Sequence, residues 1–330
     1  MRVALLTEGA RPHSQRGLGG WCARLVEGLR EHDFELYVLA GRDASGIAGS
    51  PRGRWLGVHE LALWGRRPAG RAPGALRRRQ YARAYEQLVR ALVVPGERAA
   101  FGAGLYRLAV LAAEDGGLPA FLASAHARRT LERVWRGPGA DTSAGEPLVC
   151  DVLVAADLLE QCLRPLSAPW YGAGPGGLGA ADLCHVVGGG PAALPALVAK
   201  RLHGVPFVVT EHGLHLREQY LGYREAPYRW PVRALLLSFF RALTEETYRQ
   251  AAILTPAAPT TRSGSSAAAP IRRGPGWSTR APRRCPGRRP VRSRPPRPWS
   301  GRGRWSRDVT PSWRCTPSRG SGRSCPGRGW

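Results

Sequence analysis

The chain has 330 residues and a formal net charge of +25, from 49 lysines and arginines against 24 aspartates and glutamates. The charge is uneven. Residues 1–255 hold 31 basic and 23 acidic residues, a balance of +8, whereas residues 256–330 hold 18 arginines and one acidic residue, a balance of +17. This distribution argues against a nucleic-acid-binding protein that is basic along its whole length.

Composition divides the chain at the same point. In residues 256–330, Arg, Pro, Gly and Ser fill 52 of 75 positions, and Leu, Phe, Tyr, Met and Glu are absent. Such a segment has too little apolar surface to offset the entropy lost on ordering, so we predict a disordered tail. Residues 1–255 are rich in Leu, Ala and Val and predict one large domain.

No targeting or membrane segment is evident. The first apolar run, Val3–Leu6, is short and is followed at once by polar Thr7 and Glu8, which differs from a signal peptide. No run approaches the ~18 apolar residues that span a membrane. We therefore predict a cytoplasmic location.

Four of the seven cysteines lie in the body of the chain, and none has C-x-x-C spacing. The expected state is a buried, unpaired thiol, and the four are Cys22, Cys150, Cys162 and Cys184.

The order of elements predicts an α/β fold with a Rossmann-like parallel sheet. A strand (2–7), a glycine-containing loop, a helix from Trp21 and a strand (34–40) form the first unit. Residues 41–75 are predicted to be irregular, and a helical insertion covers about 76–140, with breaks near Pro95–Gly96 and Gly116–Gly117. The remaining predicted elements are a helix at 152–163, a strand at 183–187, a helix at 192–203, a strand at 206–210 and a helix at 231–252.

The first glycine loop invites a dinucleotide-binding interpretation, since Gly17 and Gly19 are spaced as in G-x-G-x-x-G. The third glycine of that fingerprint would fall on Cys22, however, and the loop begins ten residues after Thr7 rather than directly after the strand. A dinucleotide-dependent Rossmann enzyme therefore stays an alternative only. A glycine-rich turn before a helix still presents free backbone N–H groups that suit a phosphate or sugar hydroxyls. Glycines that merely let the chain turn are an equally good explanation of the loop.

A second group of polar residues follows two neighbouring predicted strands. His185 lies near the end of one strand and Glu211 and His212 at the end of the next, with Arg217 and Glu218 shortly after. Open α/β sheets bind ligands at the carboxyl ends of their strands, which favours a site here. No third ligand stands at metal spacing, so we predict no metal.

Several long motifs in this chain resemble one enzyme family. The segment "HGVPFVVTEHG" is similar to the N-terminal domain of retaining glycosyltransferases of the GT-B architecture. The motifs "RVALLTEG", "GGWC", "LRPLSAP", "TEHGLHLREQYL" and "APYRWPVRALLLSFFRALTEETYRQAAILTP" resemble the PelF-like group of exopolysaccharide synthesis. The resemblance covers residues 1–255 and stops near Pro256.

This resemblance implies an acceptor-side domain of a two-domain enzyme whose partner domain binds a nucleotide sugar such as UDP-glucose. It implies no metal and no covalently bound cofactor, a glycan acceptor, and peripheral association with a membrane polysaccharide-synthesis complex. The Gly19–Gly20 loop would face the donor phosphates, and His185 and His212 would line the cleft. The residues expected near the acceptor are Glu211, Arg217 and Glu218.

The family would continue beyond Pro256 with a donor-binding domain that the tail does not resemble, so we expect the chain to be inactive alone. Regrouping the third base of each codon of Thr260–Arg272 with the first two bases of the next codon permits the Tyr-Asn-x-x-Trp-Glu and Gly-Ala-Asp-Pro segments that the family places there. We therefore interpret the tail as an out-of-frame reading of that domain. The alternative is a tail whose arginines bind nucleic acid or another anionic surface, which we disfavour.

Overall fold

The structure is a computed structural model that describes residues 1–9, 18–41, 55–65, 67–68 and 70–256. Three sequence predictions lie outside these residues: the disordered tail, the loop that contains Gly17, and much of the region predicted to be irregular.

The described part forms six strands and nine α-helices. The strands are β1 (Arg2–Glu8), β2 (Asp33–Ala40), β3 (Trp55–Ala62), β4 (Leu183–Val187), β5 (Phe207–Glu211) and β6 (Ile253–Pro256). The helices are α1 (Leu18–Gly28), α2 (Ala75–Val93), α3 (Phe101–Asp115), α4 (Leu118–Leu122), α5 (Ala125–Trp135), α6 (Val149–Leu163), α7 (Ala193–His203), α8 (His215–Arg224) and α9 (Trp230–Gln250).

The strands form one parallel sheet in the order β3-β2-β1-β4-β5-β6. Its central strand β1 is buried from Val3 to Thr7, as expected where helices cover both faces of a parallel sheet. From β1 the chain adds strands toward one edge of the sheet (β2, β3) and then toward the other (β4, β5, β6), so the strand order reverses between β1 and β4. The predicted α/β, Rossmann-like parallel fold is thus confirmed.

The structure corrects two local predictions and adds two elements for which no prediction was made. Strand β3 occupies part of the region predicted to be irregular. It is an edge strand and is only half-buried along most of its length. Its sequence therefore includes Gly57, His59 and Glu60 and has no continuous apolar run. Helix α8 and the edge strand β6 were not predicted. Helix α1 begins at Leu18, so Gly19 and Gly20 lie in its first turn rather than in a loop.

The helical insertion between β3 and β4 is present as α2 to α5, with α6 following it. The predicted break near Gly116–Gly117 is the end of α3, where Gly116 has a φ of 65°. Helices α2 and α3 pack so closely that a Cβ on Gly104 would lie 2.7 Å from the Leu88 backbone nitrogen. The long helix α9 joins the insertion to the sheet, because Phe239 and Leu243 are fully buried in the same core.

The cysteine prediction holds in part. Cys22 and Cys184 are buried, Cys162 is half-buried and Cys150 is exposed. Cys150 lies on the outer side of the first turn of α6, which explains why its burial was wrongly predicted. None of the described helices combines the length and the apolar character that crossing a bilayer requires.

Candidate functional site

The carboxyl ends of β1, β4 and β5 meet at one edge of the sheet. Thr7 pairs with Val187, and Val187 pairs with Thr210, so the residues that follow these positions lie side by side. These are Glu8, the loop from Gly188 and Glu211. In an open parallel sheet the crevice for a ligand forms at this edge, where the chain reverses direction between β1 and β4.

A chain of hydrogen bonds fixes the first histidine. His185 Nε2 lies 2.8 Å from Thr210 Oγ1, which in turn lies 2.8 Å from Thr255 Oγ1. The Thr255 hydroxyl donates to the Val209 carbonyl at 3.1 Å. The hydroxyls of β5 and β6 thereby hold the His185 ring in one orientation.

The indole ring of Trp21 packs edge-on against both histidines of the edge. Its centroid lies 5.6 Å from the His185 ring and 4.7 Å from the His212 ring. Trp21 stands in the first turn of α1, so this helix places an aromatic wall over the ends of β4 and β5.

The glycine loop after β4 packs directly against the residues that follow β5. A Cβ on Gly189 would lie 2.8 Å from Glu211 Oε1, and a Cβ on Gly190 would lie 2.3 Å from the His215 ring. Gly190 also has a φ of 80°, which side chains rarely adopt. Glycine is therefore required here to let Glu211 and His215 approach the loop.

Three carboxyl groups are close enough to influence one another. Burial and, to a smaller extent, the nearby carboxylate of Glu218 raise the pKa of Glu8 to about 7. Burial also raises the pKa of Glu211, Glu218 adds to the increase, and a hydrogen bond from Tyr248 partly opposes it. Glu218 itself folds back over Gly213, where an added Cβ would lie 2.4 Å from Glu218 Oε1.

The histidines of the edge are neutral at pH 7. Burial and, to a smaller extent, the neighbouring His212 lower the pKa of His185 to about 4. Burial lowers the pKa of His215 to about 4 and also lowers that of His212. The Nε2 atoms of His212 and His215 are buried, and neither makes a hydrogen bond to any described residue.

Neutral imidazoles and carboxyl groups are suited to bind hydroxyl groups, since together they supply both donors and acceptors. A diphosphate fits this edge poorly, because the carboxylates would repel it. Across the described residues, no group of three or more His, Cys, Asp or Glu side chains is arranged to hold a metal ion.

The structure brings together most of the residues singled out from the sequence. His185, Glu211, His212 and Glu218 converge at the edge, whereas Arg217 is exposed and makes no contact with them that the structure records. Gly20 adjoins Trp21, so the first turn of α1 lies beside the site.

Sequence reasoning missed three participants: Glu8, Trp21 and His215. Glu8 could have been found by the rule that pointed to Glu211, because each is the last residue of a central strand. Trp21 fits the apolar stripe of α1, and its contact with two histidines is visible only in three dimensions.

The family assignment rests on a domain model that matches residues 1–267 of the 330-residue chain. It is described as a domain of unknown function, DUF3492. The chain belongs to the DUF3492 family. The matched region includes every strand and helix of the structure and ends eleven residues beyond Pro256, somewhat past the point where the sequence resemblance stops. No curated protein and no solved structure matches the chain.

Proposed function

We propose that this DUF3492 chain provides the acceptor-binding domain of a retaining, PelF-like glycosyltransferase that extends an exopolysaccharide in the cytoplasm. The observation that carries the proposal is a pair of buried imidazole nitrogens, on His212 and His215, that have no hydrogen-bond partner among the described residues and lie beside the buried Glu211 carboxyl. Buried polar atoms are nearly always satisfied in folded proteins, so unpaired ones at a sheet edge indicate a ligand's position. The motif resemblance supplies the reaction class.

The chemistry of the edge supports an acceptor sugar better than a nucleotide donor. Sugar hydroxyls can donate to Glu211 and exchange hydrogen bonds with neutral imidazoles. Trp21 offers an apolar wall for the carbon face of a ring. The donor diphosphate would instead require the basic groups or helix N-termini of a second domain, where preorganised positive charge stabilises the departing diphosphate.

A dinucleotide-binding enzyme is the second candidate, because the strand order is that of dinucleotide-binding Rossmann domains. In those domains a glycine-rich turn directly after β1 cradles the pyrophosphate. Here Glu8 ends β1, and its charge would oppose the pyrophosphate. The carboxyl cluster therefore favours the sugar-acceptor proposal.

Binding measurements separate the two candidates. Isothermal titration of the full chain with short oligosaccharides, UDP-glucose and NAD should show oligosaccharide binding and no NAD binding. His212→Ala should weaken the oligosaccharide about tenfold or more, because it removes a polar contact in a desolvated site. Arg224→Ala is the control, since Arg224 is exposed at the far end of α8 and is not among the candidate site residues. Saturable NAD binding that depends on Glu8 or His212 would contradict the proposal.

A further inference from the structure

A second cavity of about 320 Å³ lies away from the sheet edge, between the helical insertion and the start of α9. Its walls come from the end of α2, the loop after α5, helix α8 and the first three turns of α9. Its size is at the lower end of the range for small-molecule sites. None of the residues of the candidate site at the sheet edge lines it.

Two large aromatic side chains on the lining of this cavity are open to solvent. Trp230, the first residue of α9, is 54% exposed, and Tyr220 of α8 is 48% exposed. They are the most exposed aromatic side chains among the described residues. Exposed aromatic faces beside a cavity are typical of sites that stack against a ligand.

The charged groups of the cavity balance one another. Glu245 forms ion pairs with both lining arginines, at 3.7 Å with Arg98 Nη1 and at 3.1 Å with Arg241 Nε. Asp141 adds a further carboxylate, and hydrogen bonds from the side chain and then the backbone of Ser143 hold its pKa below the usual range, so it is ionised at neutral pH. Glu245 is not part of the lining, but its pairing with the two arginines, together with Asp141, leaves no net charge for a phosphate or a nucleic acid to recognise.

Hydrogen-bonding capacity nevertheless remains in the cavity. Arg98 Nη1 is buried and makes no hydrogen bond to any described residue, since its distance to Glu245 is too long for one. The Asp141 carboxylate uses one oxygen for the Ser143 backbone N–H, at 2.9 Å. The cavity suits an uncharged ligand that has both hydroxyl groups and an apolar face. The guanidinium of Arg98 and the carboxylate of Asp141 can bind the hydroxyl groups, and the two exposed aromatic rings can pack against the apolar face.

From these features we infer that the cavity is a second saccharide-binding site, which holds a neutral sugar unit of the glycan by stacking on Trp230 and Tyr220. Arg98 donates to the sugar and Asp141 accepts from it. Helix α8 connects this site to the sheet edge, because it carries Glu218 near the sheet edge and Tyr220 in the lining of the cavity. The choice of a sugar as ligand rests on the proposed function, whereas the position of the site does not.

The test is saturation-transfer NMR and isothermal titration on the full chain with a panel of short neutral oligosaccharides of glucose, galactose and N-acetylhexosamine. Trp230→Ala should weaken binding of at least one of them about tenfold, and Tyr220→Ala should act in the same direction. Leu221→Ala is the matched control, because Leu221 is 55% exposed on the same helix and does not line the cavity. Trp230→Phe retains a ring and should restore part of the affinity.

Each outcome decides the inference separately from the proposed function. Binding that is lost in Trp230→Ala and kept in His212→Ala supports the second site even if the sheet edge binds no sugar. Binding that is lost in His212→Ala and unchanged in both Trp230→Ala and Tyr220→Ala overturns the second site and leaves the proposed function standing. The inference also fails if no oligosaccharide of the panel binds, or if inorganic phosphate displaces the sugar through Arg98. Unfolding midpoints of the variants show whether each protein remains folded.

Discussion

The indole of Trp21 stands edge-on to the His212 imidazole, with the ring centroids 4.7 Å apart. The same indole lies 5.6 Å from His185, so one aromatic side chain of α1 desolvates histidines from two neighbouring strands. Desolvation is also the main cause that lowers the pKa of both histidines. The first turn of α1 thereby keeps these imidazoles neutral and able to bind hydroxyl groups.

This relationship predicts that Trp21→Ala will raise the pKa of His185 and His212 toward the ordinary value of 6.5, because water would reach both rings. Histidine NMR titration measures the change directly. Val26→Ala is the control, since Val26 lies further along α1 and packs with Val3 and Phe34, in a cluster that does not include Trp21. Histidine pKa values that move equally in both variants would show that Trp21 has no specific effect.

Stability should fall as the solution is acidified from pH 6.5 to pH 4. His185 and His215 have a pKa of about 4 in the folded chain and about 6.5 when unfolded, so the unfolded chain binds more protons in this window. The free energy of unfolding therefore decreases as pH falls through it. Replacing His185 by Gln should flatten the dependence, as urea titrations at several pH values would show. An unchanged slope in the variant would contradict the neutral state of His185.

Glu8 contributes with the opposite sign. Its pKa is about 7 in the folded chain, against 4.5 in the unfolded chain, so between these values the folded chain binds more protons. Its contribution to stability is thus present below pH 4.5 and is lost as the pH rises to 7. Glu8→Gln should remove this loss and leave the protein more stable than the native chain at pH 8. Glu225→Gln, an exposed substitution on the surface, is the control.

Much of the fold follows from the sequence, because buried parallel strands carry continuous apolar runs. Val3–Leu6 and Phe207–Val209 predict β1 and β5 on this basis, and the spacing of Leu194, Leu197 and Val198 predicts α7. The edge strands β3 and β6 lack such runs, and each pairs with another described strand on one side only. Local pattern alone therefore indicates them weakly.

The candidate site is predictable only in part for a related reason. Strand ends can be located from sequence, which places His185, Glu211 and His212 at one edge. Whether a side chain from another element reaches that edge depends on how helices pack. The contacts of Trp21 with the histidines, and the electrostatic influence of Glu218 on Glu8, depend on helix packing. No local sequence motif predicts them.

Breaking a buried ion pair near the site should lower the free energy of unfolding far more than breaking an exposed pair with the same sequence spacing. Glu160 and Arg164 are separated by four residues, are 2% and 3% exposed, and lie 2.8 Å apart. Glu160→Ala leaves the guanidinium of Arg164 buried without its main partner and should destabilise the chain by about 3–5 kcal/mol. Glu132→Ala breaks the exposed pair with Arg136 at 2.9 Å and should change stability by only about 0.5 kcal/mol.

Chemical denaturation of both variants measures this difference. A double replacement of the buried pair, Glu160→Leu with Arg164→Met, should recover much of the lost stability, because apolar groups of similar volume need no charge partner. Equal effects of Glu160→Ala and Glu132→Ala would mean that the buried pair is reached by water.

The glycine loop after β4 offers a test of how tightly the candidate site is packed. Gly188 and Gly190 have φ values of 84° and 80°, so alanine at either position should introduce backbone strain of about 1–3 kcal/mol. A Cβ on Gly188 has no neighbour within 4 Å, whereas one on Gly190 would collide with the His215 ring at 2.3 Å. Gly190→Ala should therefore destabilise by about 1–3 kcal/mol more than Gly188→Ala.

Only the collision with His215 separates these two substitutions, so a second change can isolate it. The double variant His215→Ala with Gly190→Ala should lose less stability than the sum of the losses in the two single variants, because the missing ring leaves room for the new Cβ. The same substitution should remain additive with Gly188→Ala. Urea denaturation of the six proteins, including the unchanged chain, gives both coupling energies. Additivity in the Gly190 pair would show that the loop moves aside without disturbing His215, and that the site is less tightly packed than its geometry indicates.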